Sequence, residues 1–129
     1  MQVNWENKTI VVVDDTKLNF VLIQTQLRKT KATFVWLKNG QDAIDYVQEQ
    51  KKVDVILMDI RMPIMDGVEA TKRIKAIAPD IPIIIQTASV MGEAYEDIAN
   101  SNCDGTVFKP IIRENLIEVM SKQFVKYSK

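Results

Sequence analysis

The stretch Val53–Pro79, VDVILMDIRMPIMDGVEATKRIKAIAP, carries a complete structural unit. Val53–Met58 is a short apolar run rich in β-branched residues, the texture of a strand covered on both faces. Asp59 ends it. Pro63, Asp66 and Gly67 then supply turn chemistry and a helix start, and Gly67 is expected to take backbone angles that other residues tolerate poorly. From Gly67 to Ala78 the apolar residues recur every three or four positions, and Pro79 stops the helix. A buried strand, an acid at its carboxyl end, a turn and a helix make one βα unit.

The same two textures alternate outward in both directions. Further strand-like runs are Thr9–Val13, Thr33–Leu37, Ile81–Gln86 and Gly105–Phe108. Between them, Leu18–Lys29 reads as a helix that is apolar over much of its circumference. Asn39–Gln50 starts on an Asn cap and buries Ala43, Ile44 and Val47. Met91–Asn100 sets Met91, Ala94, Tyr95 and Ile98 on one stripe, and Arg113–Lys126 does so with Leu116, Ile117, Met120 and Phe124. Strict strand–helix alternation implies a parallel sheet with right-handed crossovers, because parallel neighbours cannot be joined by a tight hairpin. The expected fold class is α/β, a three-layer doubly wound five-stranded parallel sheet with five helices. With 129 residues and no repeat or linker this is one domain, 1–129, with a lead at 1–8 and a folded core at 9–127.

Composition narrows the chemistry. Hydrophobic residues make up 47% of the chain, enough for a core. Seventeen basic residues balance 17 acidic ones, so no global field gathers nucleic acid or an anionic membrane, and no direct nucleic-acid role is expected. Without histidine the chain holds no Ser-His-Asp or Cys-His machinery and no His-ligated zinc. The single cysteine, Cys103, forms no internal disulfide and reads as a small filler, consistent with a reduced, cytoplasmic setting. No apolar stretch approaches the roughly 18 residues of a membrane span, so no membrane insertion of this domain is expected.

In open α/β sheets the ligand site lies beyond the carboxyl ends of the strands. Those ends read Asp14 and Asp15, Asp59, Thr87 and Lys109. Taken singly, Asp15 or Asp59 is equally well explained as a helix cap or a solvated acid. Three converging carboxylates, however, repel one another unless a cation sits among them. Oxygen donors without His or Cys favour a hard ion, and Mg²⁺ fits. Lys109 on the same edge reads either as a structural ion pair or as a stabiliser of charge on a transferred group.

At this point the chain resembles the receiver domain of bacterial two-component response regulators. The resemblance rests on Val11-Val12-Val13-Asp14-Asp15, on Met58-Asp59-Ile60-Arg61-Met62-Pro63-Ile64-Met65-Asp66-Gly67, on Thr87-Ala88 and on Lys109-Pro110, in the family's order and spacing. It implies a flavodoxin-like fold with strand order 2-1-3-4-5. It implies that Asp59 is the phosphoacceptor and that Asp14, Asp15, Asp59 and the backbone carbonyl of Arg61 bind Mg²⁺, with Mn²⁺ as a substitute. Lys109 would pair with Asp59 and then with a phosphoryl oxygen; Thr87 would bring its hydroxyl to that group, with Ala88 leaving room. Pro110 would follow a cis bond that aims Lys109 into the site. Arg61 and Ser89 occupy positions that in the family influence loss of the phosphoryl group.

The resemblance also implies partners. A histidine kinase or histidine phosphotransfer domain would donate the phosphoryl group, and a downstream protein would bind the face of the fourth helix, fifth strand and fifth helix. A weak homodimer fits as well. The family's aromatic switch residue is replaced by Thr106, and Tyr95 reads either as a partial stand-in or, more commonly for a helix tyrosine, as a half-buried packing residue. Nothing follows the last helix, which leaves a free-standing regulator or the receiver of a hybrid sensor histidine kinase, and the wording around Asp59 favours the second. The domain would be cytoplasmic, tethered in that case to a membrane sensor kinase. It is not a dedicated enzyme but would catalyse its own phosphorylation and slow dephosphorylation. The rival from another class, a Mg²⁺-dependent phosphatase, expects a second acid two residues after the nucleophile, where Arg61 stands.

Overall fold

The computed structural model describes residues 3–62, 64–88 and 93–126, without the side chains of 93–95 and 126. Its elements run β1 (Thr9–Val13), α1 (Lys17–Gln26), β2 (Thr33–Leu37), α2 (Gly40–Gln48), β3 (Val55–Asp59), α3 (Gly67–Ile77), β4 (Ile83–Thr87), α4 (Glu93–Ala99), β5 (Gly105–Phe108) and α5 (Arg113–Lys126). The five strands are parallel in the order β2-β1-β3-β4-β5. The expected architecture and strand order are therefore observed.

Strand alternation divides the core into two layers. Along β3, Val55 and Leu57 pack with Ile23, Leu27, Leu116, Ile117 and Met120 on the α1 and α5 side. Ile56 and Met58 pack with Ala43, Ile44, Ala70, Ile74 and Ile98 on the side of α2, α3 and α4. Trp5, in the lead, is buried in the first of these layers, edge-on to Phe124 at 5.0 Å. Central strands β1, β3 and β4 are buried at every position, as continuous apolar runs require. The run Thr33–Leu37 departs from that expectation: β2 lies at the sheet edge and is only half-buried.

Several boundaries move for local reasons. The first helix ends at Gln26 instead of Lys29, because Thr30 Oγ1 donates to Leu27 O and the chain tightens into a 3₁₀ turn at Arg28–Thr30. Only Ile23 of α1 is fully buried, while Leu18, Val21 and Leu22 are exposed. The second helix stops at Gln48, short of Gln50, whose φ is 59°. The third helix stops at Ile77, one residue before Ala78, which serves as its C-cap. The third strand starts at Val55 and not Val53, since Asp54 turns its carboxylate onto Thr9 N. The fourth starts at Ile83 and not Ile81, because Ile81 N bonds back to Ala78 O in a turn. Met91, assigned above to the fourth helix, lies outside the described residues.

At the end of the sheet away from the acids, Lys75 and Asp104 form an ion pair of 2.6 Å with both side chains buried. Lys75 Nζ also donates to Pro79 O and Ile81 O, and Asp104 accepts from Ile83 N, so the pair fixes where β4 begins.

Ile64, in the loop between β3 and α3, has φ 72° and a side chain that is 94% exposed. A left-handed conformation costs an L-residue about 1–2 kcal/mol, and the exposed side chain returns little packing energy. Ile64→Gly is expected to raise the unfolding free energy by roughly 1 kcal/mol in urea titrations. An unchanged or lower midpoint would show that the strain is relieved elsewhere.

Candidate functional site

The carboxyl ends of β1 and β3 lie side by side, since Val13 pairs with Met58. The next residue on each strand is an aspartate. Asp14 and Asp59 are buried and Asp15 is exposed, and one carboxylate oxygen from each lies within 4.8 Å of the others. Helix α1 begins just after Asp15 because Thr16, with β-region backbone, serves as its N-cap.

Asp14 is held almost completely. Its Oδ1 accepts from Thr16 N at 3.0 Å, Thr16 Oγ1 at 3.1 Å and Asn19 Nδ2 at 3.4 Å. Its Oδ2 is buried and has no hydrogen-bond partner among the described residues. A buried carboxylate oxygen without a donor is costly. On a residue whose carboxylate clusters with two others, it calls for a cation, and the all-oxygen donor set fits Mg²⁺.

Lys109 reaches the same cluster from β5. Its Nζ donates to Asp59 Oδ1 at 2.9 Å, with its backbone N bonded to Thr87 O at 2.9 Å and a cis bond to Pro110. Burial pushes the Asp59 carboxyl above its ordinary range; the Lys109 hydrogen bond and charge oppose this, while repulsion from Asp14 and Asp15 adds to it. Thr87 is buried at the end of β4, one residue beyond Gln86, the lateral partner of Asp59. Ala88, which follows Thr87, and Arg61, two residues after Asp59, are exposed.

Gly67 departs from the expectation based on backbone freedom. Its φ lies outside the left-handed region, and the constraint is space: a Cβ at this position would meet Asp59 O at 2.1 Å. Its N–H donates to Ile60 O, clamping the first turn of α3 onto the end of β3. Asp66 caps α3 by accepting from Glu69 N at 2.8 Å. Thr106 is half-buried on β5, beside Ile85 of β4, and lines a groove of about 430 Å³ with Phe108, Lys109 and Ile112. The Tyr95 side chain and Ser89 lie outside what is described.

Sequence reading missed the groups that hold Asp14. Thr16 and Asn19 carried a signal, as polar residues directly after the acid pair and one helical turn on. Trp36, whose indole donates to Asp14 O across 22 positions of sequence, carried none.

Comparison with known proteins places this geometry. The sequence pattern of the response regulator receiver domain matches residues 10–121, and the chain belongs to that family. It is 33% identical over 120 residues to the autoinducer 1 sensor kinase/phosphatase LuxN of Vibrio campbellii, covering 93% of this chain and 14% of that protein. Hybrid signal transduction histidine kinase I of Dictyostelium discoideum is 39% identical over 126 residues, 92% of this chain and 7% of the kinase. The chain thus spans only a small part of the curated relatives it matches. Among solved structures, the receiver domain of sensor histidine kinase PA1611 from Pseudomonas aeruginosa superposes with a TM-score of 0.83 at 28% identity, covering 92% of this chain and 98% of that one. That structure has magnesium coordinated in its active-site cleft. A chemotaxis protein of Vibrio cholerae, 22% identical with a TM-score of 0.80, shares the fold. Receiver domains accept a phosphoryl group from histidine kinases or phosphotransfer domains, and among the described residues no helix is long and apolar enough to cross a membrane.

Proposed function

We propose that this chain is the phosphoacceptor module of a hybrid sensor histidine kinase, with Asp59 as the residue modified. The observation that carries the reading is the convergence of three carboxylates, one with an orphaned buried oxygen, with a lysine bonded to Asp59. Kinase relatives many times longer than this chain support the hybrid setting.

An oxygen of Asp59 attacks phosphorus as the phosphohistidine P–N bond breaks, its electron pair returning to the imidazole of the donor. Asp14, Asp15, Asp59 and the Arg61 carbonyl would hold Mg²⁺ or Mn²⁺, whose positive charge offsets repulsion between carboxylates and phosphoryl oxygens. Lys109, already 2.9 Å from Asp59, transfers its hydrogen bond to a phosphoryl oxygen. Thr87 brings its hydroxyl to the same group, with Ala88 leaving room, and draws in the chain leading to α4. The exposed apolar residues Leu18, Val21 and Leu22 of α1 give the donor domain a surface beside the acids. The downstream partner, or a second copy in a weak homodimer, binds across α4, β5 and α5, where Phe108 and Ile112 are exposed beside the groove. The module works on the cytoplasmic side of its parent kinase.

The test is incubation with Mg²⁺ and a small acyl phosphate, read by intact mass. One phosphoryl group per chain is expected; no adduct, with or without beryllofluoride, would overturn the reading. A second expectation concerns the metal alone. Asp15 is exposed, so Asp15→Asn should leave the fold intact while weakening Mg²⁺ binding by roughly tenfold or more in calorimetric titration. Equal affinity in the variant would remove Asp15 from the ligand set.

A further inference from the structure

The carbonyl of Asp14 sits where a β ladder ends. Asp14 N still donates to Leu37 O at 3.0 Å, the last bond of the β1–β2 ladder. Continuing the parallel pattern would require Asn39 N as the next donor. Asn39 has instead become the N-cap of α2, its side chain accepting from Asp42 N at 2.8 Å. A carbonyl this deep needs another donor, and the indole of Trp36 provides it, Nε1 to Asp14 O at 2.8 Å.

The ring that makes this bond is itself fixed. Phe20 of α1 stacks on it with centroids 6.0 Å apart and planes 17° from parallel. Lys38 Nζ lies 5.7 Å from its centroid. Phe20 adjoins Asn19, so the helical turn that sends an amide to Asp14 Oδ1 also sends an aromatic ring to Trp36. The Asp14 N–H, C=O and Oδ1 are then all engaged, and Oδ2 is the oxygen left over. The peptide unit whose carbonyl Trp36 holds also carries the N–H of Asp15, so its tilt sets the direction in which the Asp15 side chain departs.

We propose that Trp36 is a positioning residue for the divalent-cation site, its indole N–H holding the Asp14–Asp15 peptide so that both carboxylates converge with Asp59. This rests on the Mg²⁺ reading of the cluster given above. Groups that orient metal ligands without touching the metal are worth roughly ten- to a hundredfold in affinity, and Trp36, acting through a backbone carbonyl, belongs at the lower end.

The chain has two tryptophans, so ¹⁵N-labelled protein gives two indole N–H signals. Trp5, buried against Phe124 before β1, is the internal control. On titration with MgCl₂ the Trp36 indole signal should move along the same isotherm as the Asp15 amide, while the Trp5 signal stays in place. Trp36→Phe keeps a ring to stack on Phe20 and deletes only the donor; its Mg²⁺ dissociation constant should rise roughly tenfold. A stationary Trp36 signal while the Asp15 amide shifts would overturn the proposal, as would unchanged affinity in Trp36→Phe. Should the variant fail to fold, the wild-type titration decides alone. If neither Asp15 nor Trp36 responds, the metal reading falls as well, which separates the two failures.

Discussion

Asp59→Asn is expected to remain unmodified by a small acyl phosphate under conditions that load the wild type once, and to unfold at a higher temperature than the wild type when both are free of Mg²⁺. The first half follows from the chemistry: an amide carries no negative charge, and its oxygen is a far weaker nucleophile toward phosphorus than a carboxylate oxygen. The second half follows from the environment of Asp59. Burial and the neighbouring charges of Asp14 and Asp15 raise its pKa, and the 2.9 Å bond from Lys109 compensates only in part. With the folded pKa above the unfolded one, the carboxyl contributes stability that is fully present below the unfolded value of about 4 and is lost as pH rises through the folded value. At neutral pH the metal-free protein therefore carries an ionised group that folding disfavours, and the amide removes it. Lys109 is partly exposed and can be solvated when its partner is lost. Mg²⁺ should narrow or reverse the difference, since a ligand that binds only the folded state adds stability in proportion to its occupancy. Thermal melts of both proteins at pH 7, with and without Mg²⁺, check the sign. A metal-free Asp59→Asn less stable than the wild type would mean that the Lys109 pair outweighs burial and repulsion.

The extent to which this site was legible in sequence follows from how far apart its parts lie along the chain. Buried strands announce themselves by composition, and the residue that ends a strand is fixed by where the run stops, so Asp14, Asp59 and Lys109 could be placed at one sheet edge. The conjunction of acids and lysine then called for a cation, and the orphaned Asp14 Oδ2 is its structural counterpart. Contacts between elements far apart in sequence left no such mark. Trp36 reads as an ordinary strand aromatic until β2 is laid beside β1, and the Lys75–Asp104 pair that moves the start of β4 joins a helix to a distant loop. The third helix and Asp66 cap were visible locally, yet the reason for glycine at position 67 was not, because it depends on how closely α3 returns to the strand that launched it.

That close return makes Gly67→Ala the second large effect. The added methyl would lie 2.1 Å from Asp59 O and 2.9 Å from Asp59 C and Ile60 Cα, all backbone atoms, so no side-chain rotation relieves it. Either α3 lifts, breaking the 2.9 Å bond from Gly67 N to Ile60 O, or the end of β3 shifts and takes the phosphoacceptor with it. Overpacking against yielding neighbours costs about 1–3 kcal/mol, and rigid backbone puts this case at roughly 3 kcal/mol or more. Relieving the overlap requires a displacement of about 1 Å, and misplacing a reacting group by that much slows a reaction by roughly a hundredfold. Gly40→Ala is the matched control. Its Cβ would meet Ala70 Cβ at 2.8 Å between α2 and α3, so it should also destabilise the fold. No carboxylate lies among those contacts, and its rate of phosphorylation by a small acyl phosphate should stay near that of the wild type once the folded fraction is matched. Urea titrations give the stabilities and time-resolved intact mass gives the rates. If Gly67→Ala lost stability yet phosphorylated at the rate of Gly40→Ala, the strain would be taken up by α3 alone, and Asp59 would be held in place by β1, β4 and Lys109 without help from the helix that follows it.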